Sequence, residues 1–224
     1  MTVDLEAWIK ERRITEVECM VSDLSGIPRG KILPAGKFLK AIGEQGLRIP
    51  ESIFGLTVTG DYIEEYDLDP RASDVYLRPV ADSIRMVPWY KEPTAQVICE
   101  GHYFDGTPVD VAPRHVLRRV LDLYAEKGWR PTVAPELEFF LVKVNADPDY
   151  PLEAPIGRSG RPETARQAYG IDAVNEFDPL FEDIYDYCEA QEIDVDTLTH
   201  ESGAAQLEII FNHGDPMEIA DQAF

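Results

Sequence analysis

The spacing of hydrophobic residues predicts a first part of the chain that mixes short strands with helices. Residues 3–13 and 35–45 repeat apolar positions at helical intervals, and Gly46 stands where a helix C-cap glycine belongs. Runs of strand-forming residues predict the strands, around 15–21, 53–59, 75–79, 84–87 and 95–100. The Asp-Gly turn at 104–107 suggests that the last strand pairs into a hairpin. The pattern therefore predicts an α+β module that ends near residue 108.

The second part of the chain has longer elements separated by an irregular segment. Pro113 begins a helix that Gly128 closes, and 134–142 has the composition of a core strand. Residues 147–170 are rich in proline and glycine and poor in apolar residues, which predicts a long loop. Further elements are a helix, a strand and a helix, at 177–188, 206–211 and from Asp215 onward. Because the sequence stops just after this last helix begins, we expect a truncated chain.

Composition and charge limit the kinds of protein that this chain can be and the kinds of partner that it can bind. The 224 residues are 44% hydrophobic, which is ordinary for a globular chain, and the net charge is −21. Such a charge repels nucleic acid and anionic membranes, so neither is expected as a partner. The N-terminus lacks the apolar core of a signal peptide, and no apolar stretch is long enough to span a bilayer. These features predict a soluble cytoplasmic protein.

Two glutamates on one predicted strand are the first candidates for chemistry. Glu136 and Glu138 are two residues apart, so their side chains leave the same face of the pleat. Their Cα atoms lie about 7 Å apart, because a strand advances roughly 3.3 Å per residue, and the two charges repel.

A second pair of acidic residues surrounds the predicted strand 206–211. Glu208 lies on its polar face, and Glu201 is seven residues earlier, on the opposite face of an uninterrupted strand. Gly203 can introduce a bulge or bend that returns Glu201 to the side of Glu208. Four such carboxylates on neighbouring strands would need cations to stay ionised, and oxygen ligands select Mg²⁺ or Mn²⁺ over zinc.

Solvent exposure is the competing interpretation, because alternating polar residues are typical of antiparallel strands with one wet face. The residues alone favour that interpretation. Two other motifs give weaker support for a functional site. Residues 61–69 lack the central glycine of a calcium loop, and 157–160 lack the Lys-Ser/Thr of a phosphate loop. The histidines show no metal-binding spacing and are expected to be surface or structural residues; they are His102, His115, His200 and His213.

Five ordered stretches resemble the glutamine synthetase family, and they reverse that preference. APELEFFLV and HESGAAQLEIIFNHGDP are similar to its two glutamate strands, and SDLSGIPRGKILP is similar to the N-terminal loop that reaches a neighbouring subunit's active site. SDVYLRPVADSIRMVPW and DVAPRHVLRRVL resemble the signatures between them, and RGK and AAQLEI favour the γ-glutamylpolyamine (γ-glutamylputrescine) synthetase-like branch. The resemblance implies an N-terminal β-grasp domain at 1–108. It also implies an incomplete catalytic domain at 109–224, the first part of an antiparallel half-barrel with flanking helices.

The resemblance also implies a role for each candidate residue. Glu138, Glu201 and Glu208 would hold the metal that binds the acceptor carboxylate, and Glu136 would contribute to a second metal that bridges the ATP phosphates. Asp23 would lie near the amine site of the adjacent protomer, and Tyr169 beside the same site. Asp23 or Glu201 would accept the proton of the attacking ammonium.

The implied reaction is ATP-dependent: glutamate forms γ-glutamyl phosphate, which passes to ammonia, another amine or a polyamine. Homo-oligomers are implied as well, since the family forms double-ring dodecamers. The histidine strand and the arginines of the family's second half are not found after Glu208, so we expect this polypeptide alone to be inactive or weak. The alternative is a non-catalytic relative that serves as a binding or assembly module.

Overall fold

The structure is a computed structural model that describes residues 2–44, 46–63, 74–164 and 166–224. The chain folds into two compact units. The first comprises residues 1–131 with 220–222 and 224, and the second comprises 132–219 with 223.

The first unit is built on one mixed sheet. Its helices are α1 (Leu5–Glu11), α2 (Ala35–Gly43) and α3 (Pro113–Glu126). Its strands are β1 (Glu16–Ser22), β2 (Pro28–Pro34), β3 (Arg48–Pro50), β4 (Asp74–Pro79), β5 (Arg85–Met86) and β6 (Thr94–His102). The strand order is β2-β1-β6-β4-β3, and β5 pairs with β6 beside this path.

Strand β6 is the centre of that sheet. It runs parallel to β1, with Glu16 beside Thr94, and antiparallel to β4, with Tyr76 beside His102. Its odd-numbered residues from Ala95 to Cys99 join the buried core, and its even-numbered residues leave the other face. This alternation puts Glu100 and His102 on one face, outside the apolar core.

The second unit contains a three-stranded antiparallel sheet of order β7-β9-β8. The strands are β7 (Glu136–Phe140), β8 (Val195–His200) and β9 (Gln206–Phe211), and the helices are α4 (Ile171–Asn175) and α5 (Asp178–Ala190). A last helix, α6 (Pro216–Ala223), follows Asp215, whose carboxylate accepts the amide of Met217 at 3.0 Å. Between β7 and α4 the described residues form no helix or strand, as the proline-rich composition predicts.

The structure confirms the α+β class and most predicted elements, and it corrects two. The predicted strand at 53–59 is wrong: Glu51–Gly55 is a 3-10 helical turn in which Phe54 packs over Gly101. The hairpin after β6 is a single bridge between His102 and Pro108, so the turn is present without a ladder.

Several elements have exposures or positions that the sequence pattern does not indicate. Strand β7, predicted for the core, is largely exposed and lies at the edge of its sheet. The apolar face predicted for α3 is more than one third exposed, at Val116, Val120, Leu123 and Tyr124. Of the loop 61–69, residues 64–69 lie outside the described part. The β-grasp assignment and the boundary near residue 108 stay predictions.

Candidate functional site

The register of β7 against β9 brings two of the predicted glutamates face to face. Glu138 pairs directly with Glu208, and Glu136 pairs with Ile210 on the same face of the sheet. Directly opposed residues of an antiparallel pair have Cα atoms about 4.5–5.5 Å apart. Like charges at such positions destabilise a sheet, so this register is unfavourable unless a proton or a cation compensates.

Glu201 joins the same cluster through a reverse turn. It follows the end of β8, and its amide donates to the Gln206 carbonyl at 2.7 Å, which closes the hairpin to β9. Gly203 lies in this turn, where an added Cβ would meet the Phe140 ring at 2.6 Å. The predicted bend at Gly203 is therefore present as a hairpin turn between two strands, and Glu201 is close enough to Glu208 to raise the pKa of its carboxyl group.

The electrostatics of the cluster converge on Glu208. Its side chain is buried, with 5% of its surface exposed. Burial raises its pKa to about 7 from the ordinary 4.5, and the hydrogen bond with Glu201 and the charges of Glu136, Glu201 and Glu138 act in the same direction. Without a cation, the pKa of Glu208 therefore lies near neutral pH, where its protonated and ionised forms are both present.

The amide of Gln206 supports the exposed member of the opposed pair. Its Nε2 donates to a carboxylate oxygen of Glu138 at 2.7 Å, and its Oε1 accepts the Gly203 amide at 2.8 Å. Gln206 thus links the turn that carries Glu201 to the strand that carries Glu138.

A pair behind the sheet, the half-buried Glu163 and the buried His200, is not indicated by any sequence pattern. His200 is fully buried on the face opposite the glutamates, and its Nε2 lies 3.0 Å from Glu163 Oε2. The same oxygen accepts the amide of Ala205 at 2.7 Å, and His200 Nδ1 lies 2.7 Å from the Glu201 carbonyl. The pair therefore fixes both ends of the turn that presents Glu201. The expectation that His200 is structural agrees with this position, but Glu163 gave no signal because it lies in the irregular loop.

Tyr169 is attached to this unit by its backbone. Its amide donates to the His200 carbonyl at 2.9 Å, one residue before Glu201, and its backbone is left-handed with φ at 59°. The side chain is 76% exposed, so it is available to a ligand. Its place beside an amine site stays a prediction.

Asp23 lies in the first unit and is only 1% exposed. One carboxylate oxygen accepts the amides of Ser25 and Ile27 at 2.9 Å, and the other accepts Arg29 Nε at 2.8 Å. These contacts organise the turn between β1 and β2. The predicted catalytic role of Asp23 is not tested by this geometry, in which its carboxylate is fully engaged within its own unit.

The four glutamates offer oxygen donors only, and their mutual repulsion is the observation that fits a cation. Glu136 and Glu138 are exposed, Glu201 is half-buried, and the pKa of Glu208 is raised to about 7 when no cation balances the charge. Hard divalent ions with several carboxylate ligands match this donor set. The fold and the cluster define a class: an α+β protein with a cluster of carboxylates on one face of an antiparallel sheet.

The chain belongs to the glutamine synthetase family. The family profile described as "Glutamine synthetase, catalytic domain" matches residues 110–224, just over half of the chain. The chain is 32% identical to γ-glutamylputrescine synthetase PuuA of Escherichia coli, over 92% of this chain and 44% of that protein. It is 26% identical to a glutamate–isopropylamine ligase of a Pseudomonas species, over 96% of this chain and 47% of that protein.

A solved structure described as a GmaS/ADP complex has the same fold. It superposes with a TM-score of 0.78 over 99% of this chain and 46% of that chain, at 23% identity. The chain thus spans about half the length of the relatives that it matches. Among the described residues, no helix is both long enough and apolar enough to cross a membrane.

Proposed function

We propose that this chain is part of an ATP-dependent ligase that joins the γ-carboxylate of glutamate to an amine. The observation that supports the proposal is the register that opposes Glu138 to Glu208 with Glu136 on the same face, together with the influence of Glu201 on the pKa of Glu208. In the proposed reaction, the glutamate carboxylate attacks the terminal phosphoryl group of ATP, and an amine then displaces phosphate from γ-glutamyl phosphate.

The proposed ligands divide between two cations. Glu138, Glu201 and Glu208 would hold the one that binds the acceptor carboxylate, and Glu136 would contribute to the one beside the ATP phosphates. When bound, Mg²⁺ or Mn²⁺ would neutralise negative charge that accumulates on the transferring phosphoryl group. The chain's own contribution is to hold the four carboxylates at fixed spacing, through the β7–β9 register and the Glu163–His200 support behind the turn.

Amine activation needs a group that accepts a proton from an ammonium, because the protonated amine is not a nucleophile. Glu201 is the candidate within the second unit, since it lies at the edge of the cluster and is half-buried. Asp23 of an adjacent protomer is the other candidate, and the proposed assembly is the family's homo-oligomer. For Asp23, its ion pair with Arg29 would have to open first.

The acceptor is proposed to be ammonia or a small amine, including polyamines such as putrescine. The relatives are named as γ-glutamylputrescine synthetase, glutamate–isopropylamine ligase and glutamine synthetase, so the family likeness alone does not choose the acceptor. The excess of 42 acidic over 21 basic residues favours a cationic acceptor, although it does so weakly.

Metal binding by the chain itself is the direct test. Mn²⁺ is titrated into the chain while the electron paramagnetic resonance signal of free Mn²⁺ is followed. Glu138→Gln and Glu208→Gln should weaken binding, while Glu182→Gln, an exposed glutamate of α5 outside the cluster, should leave it unchanged. Equal binding by all four proteins would refute the site.

Turnover is tested separately by phosphate release with glutamate, ATP and Mg²⁺ plus ammonium, putrescine or isopropylamine. We propose that the 224 residues alone give little turnover and that the full gene product is active with at least one acceptor. Ordinary rates from the 224 residues would overturn the inactivity proposal. An inactive full product that still binds Mn²⁺ would favour the non-catalytic module.

A further inference from the structure

A second group of metal-binding side chains lies in the first unit. Glu100 and His102 are two residues apart on β6, so they share the face of the sheet opposite its apolar core. His115 lies in the first turn of α3. One ligand atom from each of the three residues lies within 4.8 Å of the others.

The two imidazoles are oriented as metal-ligating histidines usually are. His102 Nδ1 lies 3.2 Å from the Glu100 carbonyl, and His115 Nε2 lies 3.0 Å from the Gly101 carbonyl. Donation to these carbonyls leaves His102 Nε2 and His115 Nδ1 as lone-pair nitrogens. Neither nitrogen has a hydrogen-bond partner among the described residues, so both are free to bind a metal.

The charges around the cluster permit a cation. Two arginines, Arg114 and Arg118, both donate to Oε1 of Glu100, and its other oxygen accepts no hydrogen bond from the described residues. Arg114 is also paired in bidentate fashion with Asp221, at 2.9 and 3.0 Å. The two arginines are therefore balanced by two carboxylates, and the histidines add neutral nitrogen donors.

The site is also accessible to small solutes. Glu100, Arg114 and His115 line a cavity of about 290 Å³ in the same unit. Three protein ligands leave a coordination position that water from this cavity can fill, and two histidines with one glutamate is a donor set that zinc takes in proteins.

We propose that Glu100, His102 and His115 form a site for a divalent transition metal of the zinc class. The metal would connect β6 to the first turn of α3 and stabilise the first unit. This site differs in chemistry from the glutamate cluster, because imidazole nitrogen favours zinc, whereas carboxylates alone favour Mg²⁺ or Mn²⁺. The proposal does not depend on the proposed ligase function.

The test is a calorimetric titration of Zn²⁺ into the full chain in the presence of excess Mg²⁺, which occupies oxygen-only sites. We expect one equivalent of Zn²⁺ to bind. His102→Gln and His115→Gln should each weaken binding by at least about 10-fold, since even a supporting contact is worth that much in metal affinity. His213→Gln, an exposed histidine outside the cluster, is the matched control and should bind as the parent chain does.

A second measurement does not require variants that fold. Nitrogen-15 spectra of the parent chain should show that Zn²⁺ changes the ring resonances of two of the four histidines. Binding that survives both substitutions, loss of binding only in His213→Gln, or unchanged ring resonances of His102 and His115 would each overturn the proposal.

Discussion

Replacing Glu208 by glutamine should stabilise the metal-free protein at alkaline pH and weaken its response to Mn²⁺. In the folded state the Glu208 carboxyl is buried and surrounded by three other carboxyl groups, which raises its pKa from 4.5 to about 7. The folded state therefore binds this proton more tightly than the unfolded chain does. Stability is unaffected below pH 4.5, where both states are protonated, and falls as the pH rises through 7.

The size of the effect follows from the shift. One pKa unit corresponds to about 1.4 kcal/mol, so a rise in the pKa of Glu208 from 4.5 to about 7 would lower the free energy of unfolding by roughly 3 kcal/mol above pH 7. Glu136 and Glu138 are exposed, however, and solvent screens their charges. We therefore expect Glu208→Gln to raise the free energy of unfolding by about 1–2 kcal/mol at pH 8 and to change it little at pH 4.

Urea unfolding in a chelating buffer at both pH values measures this difference, with Glu182→Gln as the control for loss of one negative charge. Added Mn²⁺ should stabilise the parent chain and the control more than Glu208→Gln, because the variant lacks one ligand. A Glu208→Gln chain that is equally stable or less stable than its parent at pH 8 would refute the electrostatic account of the cluster.

Three further predictions concern the supports of the fold and the site. Glu163→Ala should destabilise the second unit by about 2–3 kcal/mol and speed amide exchange at Ala205, since His200 Nε2 and the Ala205 amide lose their partner; unchanged exchange would contradict this role. Gly30→Ala should lower the free energy of unfolding in urea by more than about 3 kcal/mol, because the added Cβ would lie 1.7 Å from the Cys19 carbonyl oxygen. The control is Gly36→Ala in α2, where the added Cβ meets open space, and it should be neutral or slightly stabilising. Asp23→Ala should lower the free energy of unfolding by about 3 kcal/mol, because the ion pair with Arg29 and two hydrogen bonds from backbone amides are lost. The control Asp122→Ala replaces an exposed aspartate and should leave stability unchanged. Equal urea unfolding midpoints for the two variants would refute a structural role of Asp23.

The glutamate cluster shows what sequence spacing can and cannot predict about a site. The two-residue interval of Glu136 and Glu138 fixes their common face, because the strand period is two. The position of Glu201 depends on the turn at Gly203, which interrupts the alternation of side chains between the two faces of the sheet. The structure places a whole strand, β8, before that turn. Strand β8 has polar residues at Asp196 and Thr197 and was not predicted, because pairing with β9 outweighs its weak apolar pattern.

The Glu163–His200 pair and the cluster of Glu100, His102 and His115 bring together residues that are far apart along the chain, which no local sequence pattern predicts. Glu163 reaches His200 across 37 positions from within an irregular loop. His102 and His115 are separated by the turn after β6 and by the start of α3, so they lack the short spacing that identifies most metal motifs. The arrangement of an edge strand and the exposure of α3 are likewise tertiary properties.

The central place of β6 in its sheet sets the order in which the first unit can assemble. A hairpin of β1 and β2 can form from residues within one short stretch, but the partner of Glu16 across the parallel pair is Thr94, 78 positions later. During synthesis, the hairpin of β1 and β2 therefore cannot pair with β6 until the chain has emerged from the ribosome past His102. Until then one edge of β1 has no partner, which makes this interval the period when a chaperone would be of most use to the nascent protein.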